Sequence, residues 1–214
     1  MLSRMGDHDS VRGSYDTVAE EYLARLRDEL AGKPLDRALL TAVLEQTEPG
    51  GVVADLGCGP GHVAAWLTEQ GATTVGVDLS PGMVAAGRAG FPSVEFRVGD
   101  LVALPANDGE FAAAVALYSI IHVGPDELAG VFEEVRRVLR PSGLFLVSFH
   151  VGDEVRHLDE WWGHDVDVDF RFLDPEHIVD LLESTGFSIE MRMQRTNYAH
   201  EVETQRAYIL SRRT

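Results

Sequence analysis

Three glycines at alternate positions follow a short apolar run: Val52-Val53-Ala54 leads into Asp55-Leu56-Gly57-Cys58-Gly59-Pro60-Gly61. Where a strand feeds a helix through such a turn, free backbone N–H groups and the positive helix end face a ligand. Glycine lets the backbone approach that ligand closely. By itself the turn is also compatible with a tight bend that holds nothing. Its neighbours add weight. Asp78 stands seventeen residues after Gly61, at the end of the next β-branched run, where a carboxylate can accept both hydroxyls of a ribose. Asp100 closes a third run after Gly99. In open α/β sheets ligands lie beyond the carboxyl ends of the strands. Three acids at three successive strand ends therefore point to one cofactor.

Two histidines sit where reaction chemistry would be done. His122 follows the fourth strand and His150 the fifth. A neutral imidazole can take a proton near pH 7, though either residue equally reads as a structural histidine holding a loop. His150 is the catalytic candidate by this reading, and His122 reads more as a positioning group. Trp161 and Trp162 lie in an otherwise polar stretch. They supply flat apolar walls for an acceptor, or else a plug under a long loop. Tyr198 and His200 are candidates for the rim of the same pocket. His157, Asp159, Glu160 and His164 match no familiar metal spacing, so a solvated acidic loop is expected there and no metal site.

The elements that must position these residues follow from periodicity. Helical spacing marks Val18–Leu30 and Leu35–Leu44, and Glu48-Pro49-Gly50-Gly51 breaks the chain. Strands are expected at 52–56, 73–77, 94–98, 111–119 and 144–149, with helices at 62–70, 82–89 and 126–139 between them. Strands alternating with helices imply a parallel sheet with right-handed crossovers. His150–Phe172 shows no clear period. Beyond it a helix over 175–185 and two antiparallel closing strands, 188–195 and 204–210, complete the chain. One domain, 1–214, is expected, with an N-terminal helical lid (1–47), a cofactor-binding core (52–149) and an acceptor-side loop with closing strands (150–214).

Bulk charge narrows the partners. Eighteen basic against thirty-five acidic residues give a net charge of −17. Such a field repels phosphate backbones and anionic lipid, so neither nucleic acid nor a membrane is an expected partner. One cysteine, Cys58, rules out an intramolecular disulfide and fits a reducing compartment. Met1–Ser10 lacks the apolar core of a signal peptide. A cytoplasmic protein with a small-molecule partner is expected.

The order Val53-Ala54-Asp55-Leu56-Gly57-Cys58-Gly59-Pro60-Gly61, Val75-Gly76-Val77-Asp78-Leu79-Ser80 and Val98-Gly99-Asp100-Leu101 resembles the class I S-adenosylmethionine-dependent methyltransferases. Glu134-Val135-Arg136-Arg137-Val138-Leu139-Arg140-Pro141-Ser142-Gly143 resembles their motif before the fifth strand, with serine at Ser142 where glycine is usual. The resemblance implies a Rossmann-like, doubly wound, seven-stranded and mostly parallel sheet with helices on both faces and an antiparallel C-terminal strand pair. It implies S-adenosylmethionine as cofactor, with the glycine turn (Asp55, Gly57, Cys58, Gly59, Gly61, His62) around its methionine part. Asp78 with Leu79 and Met83 would hold the ribose, Asp100 with Leu101 the adenine. The Tyr118-Ser119-Ile120 turn would pass near the sulfonium. Tyr15 and Tyr22 resemble tyrosines that close over the cofactor, although Tyr22 equally reads as a core-facing aromatic.

Methyl transfer to an O, N or C atom of a small molecule is the expected activity. The competing expectations are a nicotinamide-dependent oxidoreductase, for which the third glycine comes one residue early, and a non-catalytic cofactor- or partner-binding protein.

Overall fold

The computed structural model describes residues 4–214, with side chains from His8 onward; Met1–Ser3 of the N-terminal stretch lie outside the described residues. Strand β1 (Val52–Leu56) is the hub. It pairs in parallel with β2 (Thr73–Asp78) on one side and with β4 (Phe111–Leu117) on the other. β3 (Glu95–Val98) extends the sheet beyond β2, and β5 (Leu139–His150) extends it beyond β4. β9 (Arg206–Arg213) and β8 (Phe187–Arg195) close the far edge, giving the order β3-β2-β1-β4-β5-β9-β8. β9 runs antiparallel to both of its neighbours. The seven-stranded, mostly parallel sheet with its antiparallel C-terminal pair is the one the sequence implies.

Strand alternation sorts the core into two layers. Ala54, Leu56, Ala114, Ala116, Phe145 and Val147 face one side, against α5 (Leu128–Val138) and α6 (Pro175–Ser184). Val53, Ala113, Val115, Leu144 and Leu146 face the other, against α2 (Pro34–Gln46) and α3 (His62–Glu69). A period of two on a sheet buried on both faces produces this division. α4 (Pro81–Gly90) starts at Ser80, whose hydroxyl caps the Met83 N–H. The chain order reverses between β1 and β4, so the crevice at their carboxyl ends is the topological switch point.

Three elements depart from the expectation. α1 runs Arg4–Leu26 and a separate 3-10 turn follows at Glu29–Gly32, where one helix over Val18–Leu30 was expected. β5 starts at Leu139 rather than Leu144, because pairing with β4 resumes across an irregularity between Phe111 and Ala113. The stretch without a clear period holds a ribbon, β6 (Val155–Trp161) and β7 (His164–Arg171). Trp162 (φ 55°) and Gly163 (φ 83°) form its two-residue turn, both left-handed as a tight hairpin requires. Among the described residues no helix is long and apolar enough to cross a membrane.

Candidate functional site

The Gly57–Gly61 turn is built from behind. Gly57 and Cys58 both donate their N–H to the Val77 carbonyl, at 2.8 and 3.0 Å, which ties the end of β1 to that of β2. Gly57 sits at φ +70°, and a Cβ there would collide with Ser119 after β4. Asp55 is buried and accepts from the Ala64 N–H at 3.0 Å, holding the first turn of α3. Burial raises its pKa to about 7. Asp78 is the pivot: one oxygen accepts from Gly59 N–H at 2.7 Å, the other from Ser80 N–H at 2.9 Å. Burial raises its pKa to about 6 against those two bonds. Two polar atoms beside the turn, His62 Nδ1 and Ser119 Oγ, are buried without a hydrogen-bond partner.

Asp100 is reached from α1. His8 spans it and Glu127, with Nδ1 at 2.8 Å from Asp100 and Nε2 at 3.3 Å from Glu127. Burial opposes charge on His8, but the two carboxylates outweigh it and raise its pKa. Asp16 fixes the same helix to α4, accepting from Ser80 Oγ at 2.6 Å and Gly82 N–H at 2.7 Å. Nothing in the local sequence marks His8 or Asp16, because both act across long separations.

The ribbon closes over α1 through rings. Trp161 meets Tyr15 and Tyr22 edge-on at 5.5 and 5.7 Å between centroids, and Trp162 meets Tyr22 at 5.8 Å. The tryptophan pair thus packs on the α1 tyrosines near the glycine turn, a placement the expectation of an acceptor wall did not include. His122 has both ring nitrogens engaged, Nδ1 with the Asp169 carbonyl at 2.8 Å and Nε2 with the Tyr15 hydroxyl at 2.7 Å. A carbonyl only accepts, so Nδ1 carries the proton and Nε2 accepts from Tyr15. That tautomer makes His122 a clamp between β7 and α1.

At the opposite end lies a buried polar network that sequence reading missed. Tyr118, in a left-handed conformation (φ 57°), meets the Tyr208 hydroxyl at 2.9 Å, and Tyr208 donates to Asp36 at 2.9 Å. Arg195 holds Glu201 through two bonds of 2.7 and 2.9 Å. Lys33 meets Glu29 at 2.7 Å and lies 5.3 Å from the Tyr118 ring. His150 meets the Thr204 hydroxyl at 2.9 Å and stacks on Phe172. Burial, then the charges of Arg206, Lys33 and Arg156, lower its pKa to about 4. Nothing in the local sequence marks Lys33 as a buried residue. Only the packing of 29–36 on β8 and β9 makes it an internal one.

All of this encloses one cavity of about 830 Å³, within the usual range of about 300–1,000 Å³ for small-molecule sites. Its wall includes Tyr15, Tyr22, Asp55, Gly57, Cys58, Gly59, His62, Asp78, Leu79, Asp100, Leu101, Tyr118, Ser119, His122, His150, Trp161 and Trp162. Four expected site residues are not on it. Gly61 packs under the Phe96 ring. Met83 is fully buried against Val18 and Ala19, and Ile120 lies in the main core. Tyr198 turns away, stacking on His200 and accepting the Leu35 N–H, so His200 takes the wall position instead.

A family model described as a methyltransferase domain matches residues 53–143, the span from β1 into β5. Demethylmenaquinone methyltransferase of Beutenbergia cavernae is 35% identical over 144 residues, covering 66% of this chain and 58% of that protein. Over residues 53–143 and in fold, the chain is similar to the class I S-adenosylmethionine-dependent methyltransferases. Those enzymes take S-adenosylmethionine as cofactor. Among solved structures, 1,6-didemethyltoxoflavin-N1-methyltransferase of Burkholderia thailandensis aligns with a TM-score of 0.77 at 21% identity, over 100% of this chain and 92% of that one. Magnesium protoporphyrin IX methyltransferase of Synechocystis aligns with a TM-score of 0.76 at 17% identity, over 100% of each chain. At those identities the likeness is one of fold. The chain spans about half the length of the curated relatives it matches.

Proposed function

We propose that this methyltransferase moves the cofactor's methyl group to a small-molecule acceptor held in the same cavity. The observation that carries the reading is the cavity's division. One end has the glycine turn, Asp78 and Asp100; the other has Tyr118, His150 and the buried network. When bound, S-adenosylmethionine supplies a methyl group on an activated sulfonium, so positioning and water exclusion are the protein's main tasks.

In this reading Asp78 receives the ribose hydroxyls. Its two backbone donors fix the carboxylate from behind and leave its remaining lone pairs for the ligand. Asp100, oriented by His8 and by the Val102 N–H, receives the adenine amino group, with Leu79 and Leu101 beside it. Gly57, Cys58, Gly59 and His62 surround the methionine portion, and the unpartnered Ser119 Oγ and His62 Nδ1 suit a polar ligand there. Asp55 holds the turn itself. Tyr15 and Tyr22, with Trp161 and Trp162, cover the site, and Gly61, Met83 and Ile120 act from behind as packing. His122 positions Tyr15. His150, kept neutral, contacts the acceptor.

Residues 1–47 then serve as a lid over the core of 52–149, and 150–214 supply the ribbon and the acceptor end. The acidic surface and single cysteine favour a cytoplasmic enzyme without a nucleic-acid partner. Incubation of the full chain with methyl-labelled S-adenosylmethionine and a metabolite panel tests this. Label is expected in the small-molecule fraction, and label confined to added protein or RNA contradicts it.

A further inference from the structure

The acceptor end of the cavity has a charge pattern of its own. Lys33, the sole lysine of a chain with net charge −17, is buried on its wall, and so is Arg206. His150 and Arg206 stand directly opposite one another in the β5–β9 ladder, so their side chains leave the sheet on the same face. The Arg206 guanidinium is held mainly by backbone: Nη1 donates to the Thr204 carbonyl at 2.8 Å and Nη2 to the Val202 carbonyl at 3.1 Å. Its Nε makes no hydrogen bond and stands 3.4 Å from Glu201.

The nearby carboxylates are committed elsewhere. Glu201 is taken by both arms of Arg195, Asp36 by Tyr208 and Arg195, and Glu29 by Lys33 and His62. Arg206 therefore shares Glu201 with Arg195 and Lys33, and a buried charge so incompletely paired is costly. The field at His150 has the same sign: Arg206, Lys33 and Arg156 act on it against Glu201 alone. His150 Nε2 has no partner among the described residues, while Nδ1 is satisfied by Thr204.

We infer that the methyl acceptor binds as an anion, a carboxylate or an ionised acidic hydroxyl, seated at the His150–Arg206 end with Lys33 beside it. The inference rests on the methyltransferase reading above. An anionic oxygen has already lost its proton, so transfer to it releases none and needs no base. With the anion seated, the neutral His150 tautomer that carries its proton on Nε2 donates to that oxygen, and Thr204 turns its hydroxyl toward Nδ1. A cationic amine would meet like charge at the same place, at a cost of the kind that enforces specificity.

The test uses the full chain saturated with S-adenosylhomocysteine and matched probes, benzoate against benzamide and 3-phenylpropionate against its amide, titrated calorimetrically at neutral pH. The acids are expected to bind at least about tenfold tighter than the amides. Arg206→Gln should abolish that preference and leave S-adenosylhomocysteine affinity unchanged. Arg206→Lys should retain part of the preference, and it carries the comparison should Arg206→Gln melt early. Equal binding of acid and amide by the wild type, absence of both included, overturns the inference. So does an Arg206→Gln protein that loses S-adenosylhomocysteine but keeps 5′-methylthioadenosine, because the anion seated there is then the cofactor's own carboxylate. A wild-type chain that binds no S-adenosylhomocysteine at all contradicts the cofactor reading instead.

Discussion

Asp55 and Asp78 are carboxylic acids that the fold makes reluctant to ionise. Each is buried at the end of a β-strand, and burial raises the pKa to about 7 and about 6 respectively. A folded-state pKa above the unfolded value means the folded chain binds more protons in the window between the two. Stability contributed by the neutral form is then complete below about pH 4 and is lost as pH rises through 6 to 7. Asp55→Asn removes that dependence at one site while keeping an oxygen for the Ala64 N–H. Chemical denaturation at several pH values should show Asp55→Asn gaining stability relative to wild type between pH 5 and pH 8. A difference that stays flat with pH would refute the raised pKa. Both aspartates were legible in the sequence, since an acid at a strand end beside glycines has few solvated explanations. Lys33, Asp36, Arg195, Glu201 and Tyr208 were not legible. Their pairing joins residues up to 172 positions apart, and no local pattern encodes it.

Among the elements, the core strands were readable because burial on both faces leaves near-continuous apolar runs such as Phe111–Leu117. The β6–β7 ribbon was not. Most of its residues are charged or half-exposed, and its turn is Trp162-Gly163 rather than an asparagine- or aspartate-glycine pair. The ribbon's role is tertiary: it grips α1 through Trp161, Tyr15, Tyr22 and the His122 clamp. Trp161→Ala should therefore loosen α1 without unfolding the sheet. A partly exposed aromatic in such a cluster is worth about 2 kcal/mol, below the cost of roughly 3–5 kcal/mol for a fully buried one. Hydrogen exchange should accelerate in the α1 amides by about tenfold or more while those of β1 and β4 hold their protection. Uniform acceleration across both would show that the ribbon supports the whole domain and is no local clasp.

On the scale of the molecule, a strand order that reverses beside β1 leaves a crevice, and the glycine turn, the strand-end acids and His150 converge on it. The glycine turn comes from β1, Asp78 from β2, Asp100 from the loop after β3, Ser119 from the end of β4 and His150 from β5. α1 and the ribbon roof the crevice, and Arg206 of β9 with the 29–36 segment lines its far end. Closure on this scale links binding to stability: a ligand at about a hundred times its Kd adds about 2.7 kcal/mol. The most direct measurement is calorimetric titration of the chain with S-adenosylhomocysteine, repeated with Asp78→Asn and with NADP. The wild type should bind one equivalent of S-adenosylhomocysteine and no NADP. Asp78→Asn should weaken the affinity by roughly thirtyfold, the worth of about 2 kcal/mol in charge-assisted hydrogen bonds. Unchanged affinity in Asp78→Asn, or NADP binding in place of S-adenosylhomocysteine, would contradict the account.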